Sequence, residues 1–249
     1  MRTRWLVFSS AIAALLLTAA ALPGHAAEEG ITVAKVRLQT SAGSIPADRF
    51  EQPGTMRRPA IVVLYGAGGQ LFDGPEMRRV AQALAADGNA VYLLDYFRST
   101  GTVFALDGAM QRNFAQWLEV VRSSVTAVQQ ARGDRRPVGI YGYSLGGFLA
   151  LGGASDNPAV GAVVEHAGGV WNGRTDKIGR MPAVLMLHGK RDARVPFEKY
   201  AQPLVPVLQQ RATKLETRFF ADQGHGFTPA AMATVRADAA GFFRRHLRR

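Results

Sequence analysis

The chain has no cysteine among its 249 residues. Disulfides and thiol nucleophiles are therefore excluded, and the fold must rest on its hydrophobic core. Histidine is scarce as well, with five in the chain, so a site built on imidazole has few candidates. Acidic residues are in the minority, 19 against 30 lysines and arginines, for a formal charge of +11. Such a balance attracts anionic substrates or envelope surfaces. The arginines are scattered, however, apart from Arg244-Arg245-His246-Leu247-Arg248-Arg249, and no nucleic-acid motif accompanies them. A solvated basic surface is the expectation, with no nucleic-acid partner. There is also no internal repeat, no low-complexity tract and no break in composition to mark a second domain.

The N-terminus follows another logic. Arg2 and Arg4 precede an uncharged run from Trp5 to Leu22, which ends in Pro23-Gly24-His25-Ala26-Ala27. That layout predicts a secretory signal peptide over residues 1–26, cleaved after Ala26. A retained anchor is the alternative, since the run approaches the ~18 residues that can span a bilayer. The polar Ser9, Ser10 and Thr18 and the small residues before Glu28 favour removal. The expectation is export to the periplasm or the extracellular space, with no membrane span in the mature chain. Loss of Arg2 and Arg4 leaves a charge of +9 (11 minus 2). Residues 27–249 suit one domain with a substantial core.

Strands are predicted at Ile31 to Thr40 and Ser44 to Phe50, as a hairpin through Ala42-Gly43. Ala60 to Tyr65 and Ala90 to Leu94 are continuous apolar runs, the mark of strands buried on both faces. Pro137 to Tyr141, Val160 to Glu165, Met181 to Leu187 and Leu215 to Phe220 complete a set of eight. Helices are predicted over Glu76 to Ala86, Met110 to Ala131, Phe197 to Gln210 and Pro229 to Leu247, with another following Ser144. In the second of these, Phe114, Trp117, Leu118, Val121, Val125 and Val128 fall at helical spacing, as core packing requires. Strands alternating with helices imply a mainly parallel sheet with right-handed crossovers, flanked by helices. The fold class is α/β.

In open α/β sheets, function collects beyond the carboxyl ends of the strands. One such end is Tyr141-Gly142-Tyr143-Ser144-Leu145-Gly146-Gly147, a strand-to-helix turn of the Gly-x-Ser-x-Gly kind that exposes a serine hydroxyl. Serine is protonated at neutral pH and needs an adjacent base as it attacks. His225, between Gly224 and Gly226 after the last strand, suits that role; His25 leaves with the leader and His246 sits in a basic helix. Asp192, after the penultimate strand, is the predicted carboxylate partner of the imidazole. Asp95 is its competitor, read instead as structural, and His188 is expected to shape the turn that carries Asp192. An oxyanion needs two donors. The Leu145 amide is one, and Gly66-Ala67-Gly68-Gly69 supplies the other, with Ala67 preferred and Gly68 next. That glycine stretch lacks the lysine of a phosphate loop and the spacing of a dinucleotide fingerprint.

The order Ser144, Asp192, His225 is that of α/β-hydrolases. The Gly-Tyr-Ser144-Leu-Gly-Gly, His188-Gly-Lys-Arg-Asp192-Ala-Arg-Val-Pro and Gly-His225-Gly-Phe segments resemble the dienelactone hydrolase-like group of that fold. The resemblance implies the α/β-hydrolase fold, no cofactor or metal, and opening of esters or lactones through an acyl-enzyme. Dienelactone hydrolases proper carry a cysteine at the nucleophile position; here it is Ser144, which favours general serine esterase chemistry. The family also places an arginine for a substrate carboxylate near Asp95-Tyr96-Phe97-Arg98. Arg98 is thus a candidate for an anionic substrate, with a surface or structural ion pair as the alternative. His166 and Trp171 are candidate pocket residues. Two other readings stay open: a peptidase of the same fold acting on small peptides, and a binding protein that keeps the fold without turnover.

Overall fold

The structure is a computed structural model that describes residues 30–54, 58–133 and 135–247. The predicted leader over residues 1–26 lies outside them.

Eight strands form one sheet in the order β1-β2-β4-β3-β5-β6-β7-β8. The expected hairpin is β1 (Thr32–Thr40) and β2 (Gly43–Glu51), paired antiparallel from Thr32↔Glu51 to Thr40↔Gly43. β1 is largely exposed, whereas β2 buries Ile45, Ala47 and Phe50. β2 also runs antiparallel to β4 (Ala90–Leu94), and every later pairing is parallel. β3 (Ala60–Leu64) and β4 are buried at every position, as their unbroken apolar runs require. The remaining strands are β5 (Val138–Tyr143), β6 (Val160–His166), β7 (Met181–Gly189) and β8 (Ala212–Phe220).

Helix positions follow from crossover handedness. From β3 the chain passes through α1 (Gly69–Phe72) and α2 (Gly74–Ala86) outward to β4. It then returns over β3 through α3 (Asp107–Arg132) to β5, and proceeds in the same direction through α4 (Leu145–Ala154) to β6. With right-handed crossovers, reversing direction puts α2 on one face and α3 and α4 on the other. Accordingly α3 packs on α4, while α2 packs on α7 (Pro229–Leu247), which returns to the α2 face after β8. The reversal point lies between β3 and β5. It is there that an α/β sheet opens a crevice beyond its carboxyl edge.

Three elements depart furthest from their predicted bounds. The helix expected over 197–210 is two, α5 (Phe197–Tyr200) and α6 (Leu204–Arg211), because Pro203 has no N–H to continue a helix. β8 begins at Ala212 rather than at Leu215; its added residues Thr213 and Lys214 are exposed at the sheet edge, where pairing needs no apolar pattern. α3 begins three residues early, at Asp107, a carboxylate in its first turn. The basic C-terminal cluster is partly neutralised: Arg244 pairs with Asp87 and Arg245 with Glu216, both at 2.6 Å.

Between β4 and α3, residues Tyr96–Thr100 form a 3₁₀ turn. Trp117 of α3 is wholly buried against it, 4.5 Å from the Phe97 ring, and donates from Nε1 to the Thr100 hydroxyl at 2.9 Å. Replacing that indole removes both packing and a buried hydrogen bond. Trp117→Ala is expected to lower stability by about 3–5 kcal/mol in urea unfolding; a loss under about 1 kcal/mol would contradict this packing.

Candidate active site

The Ser144 turn is a strained connection between β5 and α4. Ser144 has φ +53° and ψ −121°, a region that non-glycine residues occupy at a cost of about 1–3 kcal/mol. Two features hold it there. The Ser144 amide donates to the His166 carbonyl of the neighbouring strand at 2.8 Å. The turn is also so tight that a Cβ on Gly142 would stand 2.0 Å from the Gly146 carbonyl oxygen. The serine side chain is consequently pushed out at the β3/β5 reversal point.

His225 lies in the loop between β8 and α7, and its Nε2 is 2.8 Å from Ser144 Oγ. Its Nδ1 is 2.8 Å from Asp192 Oδ2. Asp192 follows β7, and its other oxygen accepts the amides of Arg194 at 2.9 Å and Val195 at 2.7 Å. Burial alone would raise the Asp192 carboxyl. The hydrogen bonds from His225 and the Val195 amide outweigh it and hold the group below the usual aspartate range. An ionised Asp192 only accepts, so Nδ1 carries the imidazole proton and Nε2 is left to accept from the serine hydroxyl.

His188 and Asp95 have structural surroundings. His188 is fully buried, and burial lowers its pKa, so it is neutral; its Nε2–H donates to the Val195 carbonyl at 2.8 Å and braces the Asp192 turn. Asp95 accepts from the Tyr65 hydroxyl at 2.9 Å, and that oxygen in turn accepts the Phe97 amide at 3.0 Å.

The loop after β3 is shaped from both sides. The Gly66 carbonyl accepts the Gly69 amide at 3.1 Å, and in a trans peptide the Ala67 N–H must point the opposite way. The Ala67 carbonyl accepts the Ala105 amide at 2.7 Å. The Gly68 amide is occupied by Asp73 Oδ2 at 2.9 Å, which removes Gly68 as an oxyanion donor. Gly66 itself lies so near the serine that a Cβ there would be 2.9 Å from Ser144 Cβ. Ala67 N–H and the Leu145 N–H, at the first residue of α4, have no hydrogen-bond acceptor among the described residues. Asp73 was not singled out in the sequence; an aspartate before Gly74-Pro75 reads as an ordinary helix cap, yet its carboxylate reaches back to this loop.

Ser144 opens into a cavity of about 240 Å³, whose walls include Ala67, Leu145, Phe148, Trp171, Arg194 and Tyr200. Trp171 is thus in the wall of this cavity. Arg98 is not: it is exposed on the 3₁₀ turn and does not line this cavity. The arginine that does is Arg194, paired with Asp107 at 2.7 Å. Arg194 lies within the Asp192 motif in sequence, and the turn after Asp192 brings it to the cavity wall. His166 also falls outside the cavity lining. It is buried, its Nδ1 meets the Tyr141 hydroxyl at 2.8 Å, and burial drives its pKa down to about 3. Its contribution to the site is the backbone carbonyl that anchors Ser144. A separate cavity of about 460 Å³ has Tyr143, His166, Phe227 and Met232 in its walls, but neither Ser144 nor His225.

Among the described residues, no group of three or more His, Asp or Glu is arranged to hold a metal ion. No described helix is long and apolar enough to cross a membrane.

Beneath the loop that leads to Trp171, Glu165 is 1% exposed, and burial pushes its carboxyl up to about 8 despite the Gly168 amide it accepts. Between the ordinary glutamate value and about 8, the folded protein keeps a proton that the unfolded chain has released. Stability from this group therefore falls as pH rises through that window. Glu165→Gln removes the linkage, so the stability of the variant relative to wild type should rise between about pH 5 and pH 9 in urea titrations. A difference independent of pH would contradict a buried, protonated Glu165.

Known proteins agree with this architecture. A search of curated proteins brings no match. Among solved structures, a dienelactone hydrolase-like promiscuous phosphotriesterase from metagenomic libraries superposes with a TM-score of 0.73 at 20% identity, over 87% of this chain and 99% of that one. An esterase from Pyrococcus furiosus gives 0.68 at 14% identity, over 87% and 94%. The acylaminoacyl peptidase of Pyrococcus horikoshii gives 0.69 at 15% identity, over 89% of this chain but 42% of its own length. At such identities the likeness is one of fold. The profile of the dienelactone hydrolase family, in contrast, matches residues 47–243, most of the sequence. The chain belongs to the dienelactone hydrolase family.

Proposed function

We propose that the protein is a serine hydrolase that cleaves small carboxylic esters or lactones through an acyl-enzyme on Ser144. The observation that carries this reading is the unbroken hydrogen-bonded chain from Asp192 through His225 to Ser144 Oγ, with both links at 2.8 Å. Ser144 Oγ attacks the carbonyl carbon while His225 Nε2 takes its proton, and ionised Asp192 stabilises the imidazolium. The oxyanion that forms is received by the Ala67 and Leu145 amides, each such donor being worth about 10²–10³ in rate. Nε2 then protonates the departing alkoxide. A water molecule, deprotonated by the same nitrogen, attacks the acyl carbon and returns Ser144 to its hydroxyl form.

The serine at this position bears on mechanism. A cysteine can be converted to thiolate in advance, whereas a serine must lose its proton during attack. The 2.8 Å approach of His225 to Oγ supports the second route. A cavity of about 240 Å³ lies below the ~300–1,000 Å³ of pockets for drug-sized ligands, which supports a small substrate. The esterase named above shares the fold, which supports an ester substrate. We also infer export, from the leader-like residues 1–26; an N-terminus at Ala27 in the mature protein would support it, and one at Met1 would oppose it.

Ser144→Ala is expected to abolish labelling by a fluorophosphonate and to remove nitrophenyl acetate hydrolysis, and Asp192→Asn to lower kcat by about 10⁴. Undiminished labelling of Ser144→Ala would refute the nucleophile. For carboxylated esters, Arg194→Ala should raise KM several-fold more than for neutral ones, while Arg98→Ala leaves both alike. The opposite pattern would return the anion site to Arg98.

A further inference from the structure

Two cavities meet at one aromatic wall. The cavity at Ser144 and a second, of about 280 Å³, share Phe148, Trp171 and Asn172. The second is walled elsewhere by the apolar Phe114, Leu118, Leu151, Val170 and Ile178, and contains none of Ser144, Asp192 or His225. Of its three basic residues, Arg122 donates to the Gly152 carbonyl at 2.8 Å, Arg174 pairs with Asp176 at 2.8 Å, and Lys177 is exposed. The Trp171 indole lies flat on Phe114, with centroids 4.1 Å apart and planes 6° from parallel, and meets Phe148 edge-on at 5.8 Å. Asn172 fixes the turn below it, with φ +54° and its amide oxygen accepting from Gln111 at 3.4 Å.

The Ser144 cavity has an open side and a closed side. Asp107 and Arg194 form the open side, their side chains 78% and 54% exposed, whereas Phe148 is buried and Trp171 half-buried at the other end. A leaving alcohol must depart and water must enter, so both use the open side. The acyl group, which stays covalently attached to Ser144 Oγ, is then directed to the closed side.

We propose that the second cavity is a subsite for the aliphatic part of the acyl chain, and that Trp171 is the wall that limits how far the chain extends. The proposal rests on Ser144 being the acylated residue. With the indole in place, the acyl group is confined to the first cavity and short chains are preferred. Removing it joins the two spaces into one apolar channel.

The test is a series of nitrophenyl esters from acetate to decanoate, with a parallel series of acetates of lengthening alcohols. Trp171→Ala should raise the ratio of kcat/KM for octanoate over acetate by about fourfold for each methylene newly buried. Trp171→Leu should give a smaller shift in the same direction. Adding Leu118→Trp, which fills the second cavity away from Ser144, should cancel the gain. The proposal is overturned if the acyl profile stays unchanged in folded Trp171 variants, if the gain follows alcohol length, or if it survives Leu118→Trp. Failure of the nucleophile reading would look different: Ser144→Ala would then still turn over acetate, whatever the chain-length profile.

Discussion

The site depends on a backbone constraint: Ser144 is held at φ +53° by the hydrogen bond from its amide to the His166 carbonyl. That conformation lets β5 turn into α4 within one residue, and so places Oγ and the Leu145 amide on the same side of the sheet edge. The reversal of chain direction between β3 and β5 then brings the Ala67 loop against the turn. The serine and the two free amides are thus positioned at the ends of β3 and β5, which are buried at all but one position, and strand ends are more rigid supports than loops alone. His225 comes from the loop after the more exposed β8 and is held through Asp192.

Electrostatics follow from the same packing. Burial keeps His166 and His188 neutral and raises Glu165, so three ionisable groups under the site carry no charge near neutral pH. Asp192 alone among these buried groups is held ionised, by hydrogen bonds that outweigh its desolvation. A buried negative charge hydrogen-bonded to His225 is what an imidazole needs if it is to accept a proton in the transition state. Neutral histidines next to it avoid competing for that charge.

Much of this was legible in the sequence because it is local. The apolar runs at 60–64 and 90–94 could only be buried strands, and the Ser144, Asp192 and His225 motifs each sit within a few residues of a strand end. Where local pattern ran out, prediction failed for identifiable reasons. Arg98 follows a strand end too, but its 3₁₀ turn leaves it in solvent, a matter of backbone direction that composition does not encode. Arg194 lines the cavity only because the Asp192 carboxylate curls the following amides around itself. His166 stands at the end of β6, and its buried ring faces the separate cavity of about 460 Å³ and not the one at Ser144. Asp73 was hidden because its place before Gly74-Pro75 suggests a helix cap, whereas its carboxylate makes no capping bond and accepts the Gly68 amide instead.

The central claim is that an acyl group passes through Ser144 Oγ. Rapid acid quenching of the protein during turnover of a nitrophenyl ester, followed by peptide mass mapping, tests it directly. The expected result is one acyl mass on the peptide that carries Ser144, appearing with the first turnover and lost as product forms. Full turnover with no acylated peptide, or with the acyl mass on another residue, would contradict it.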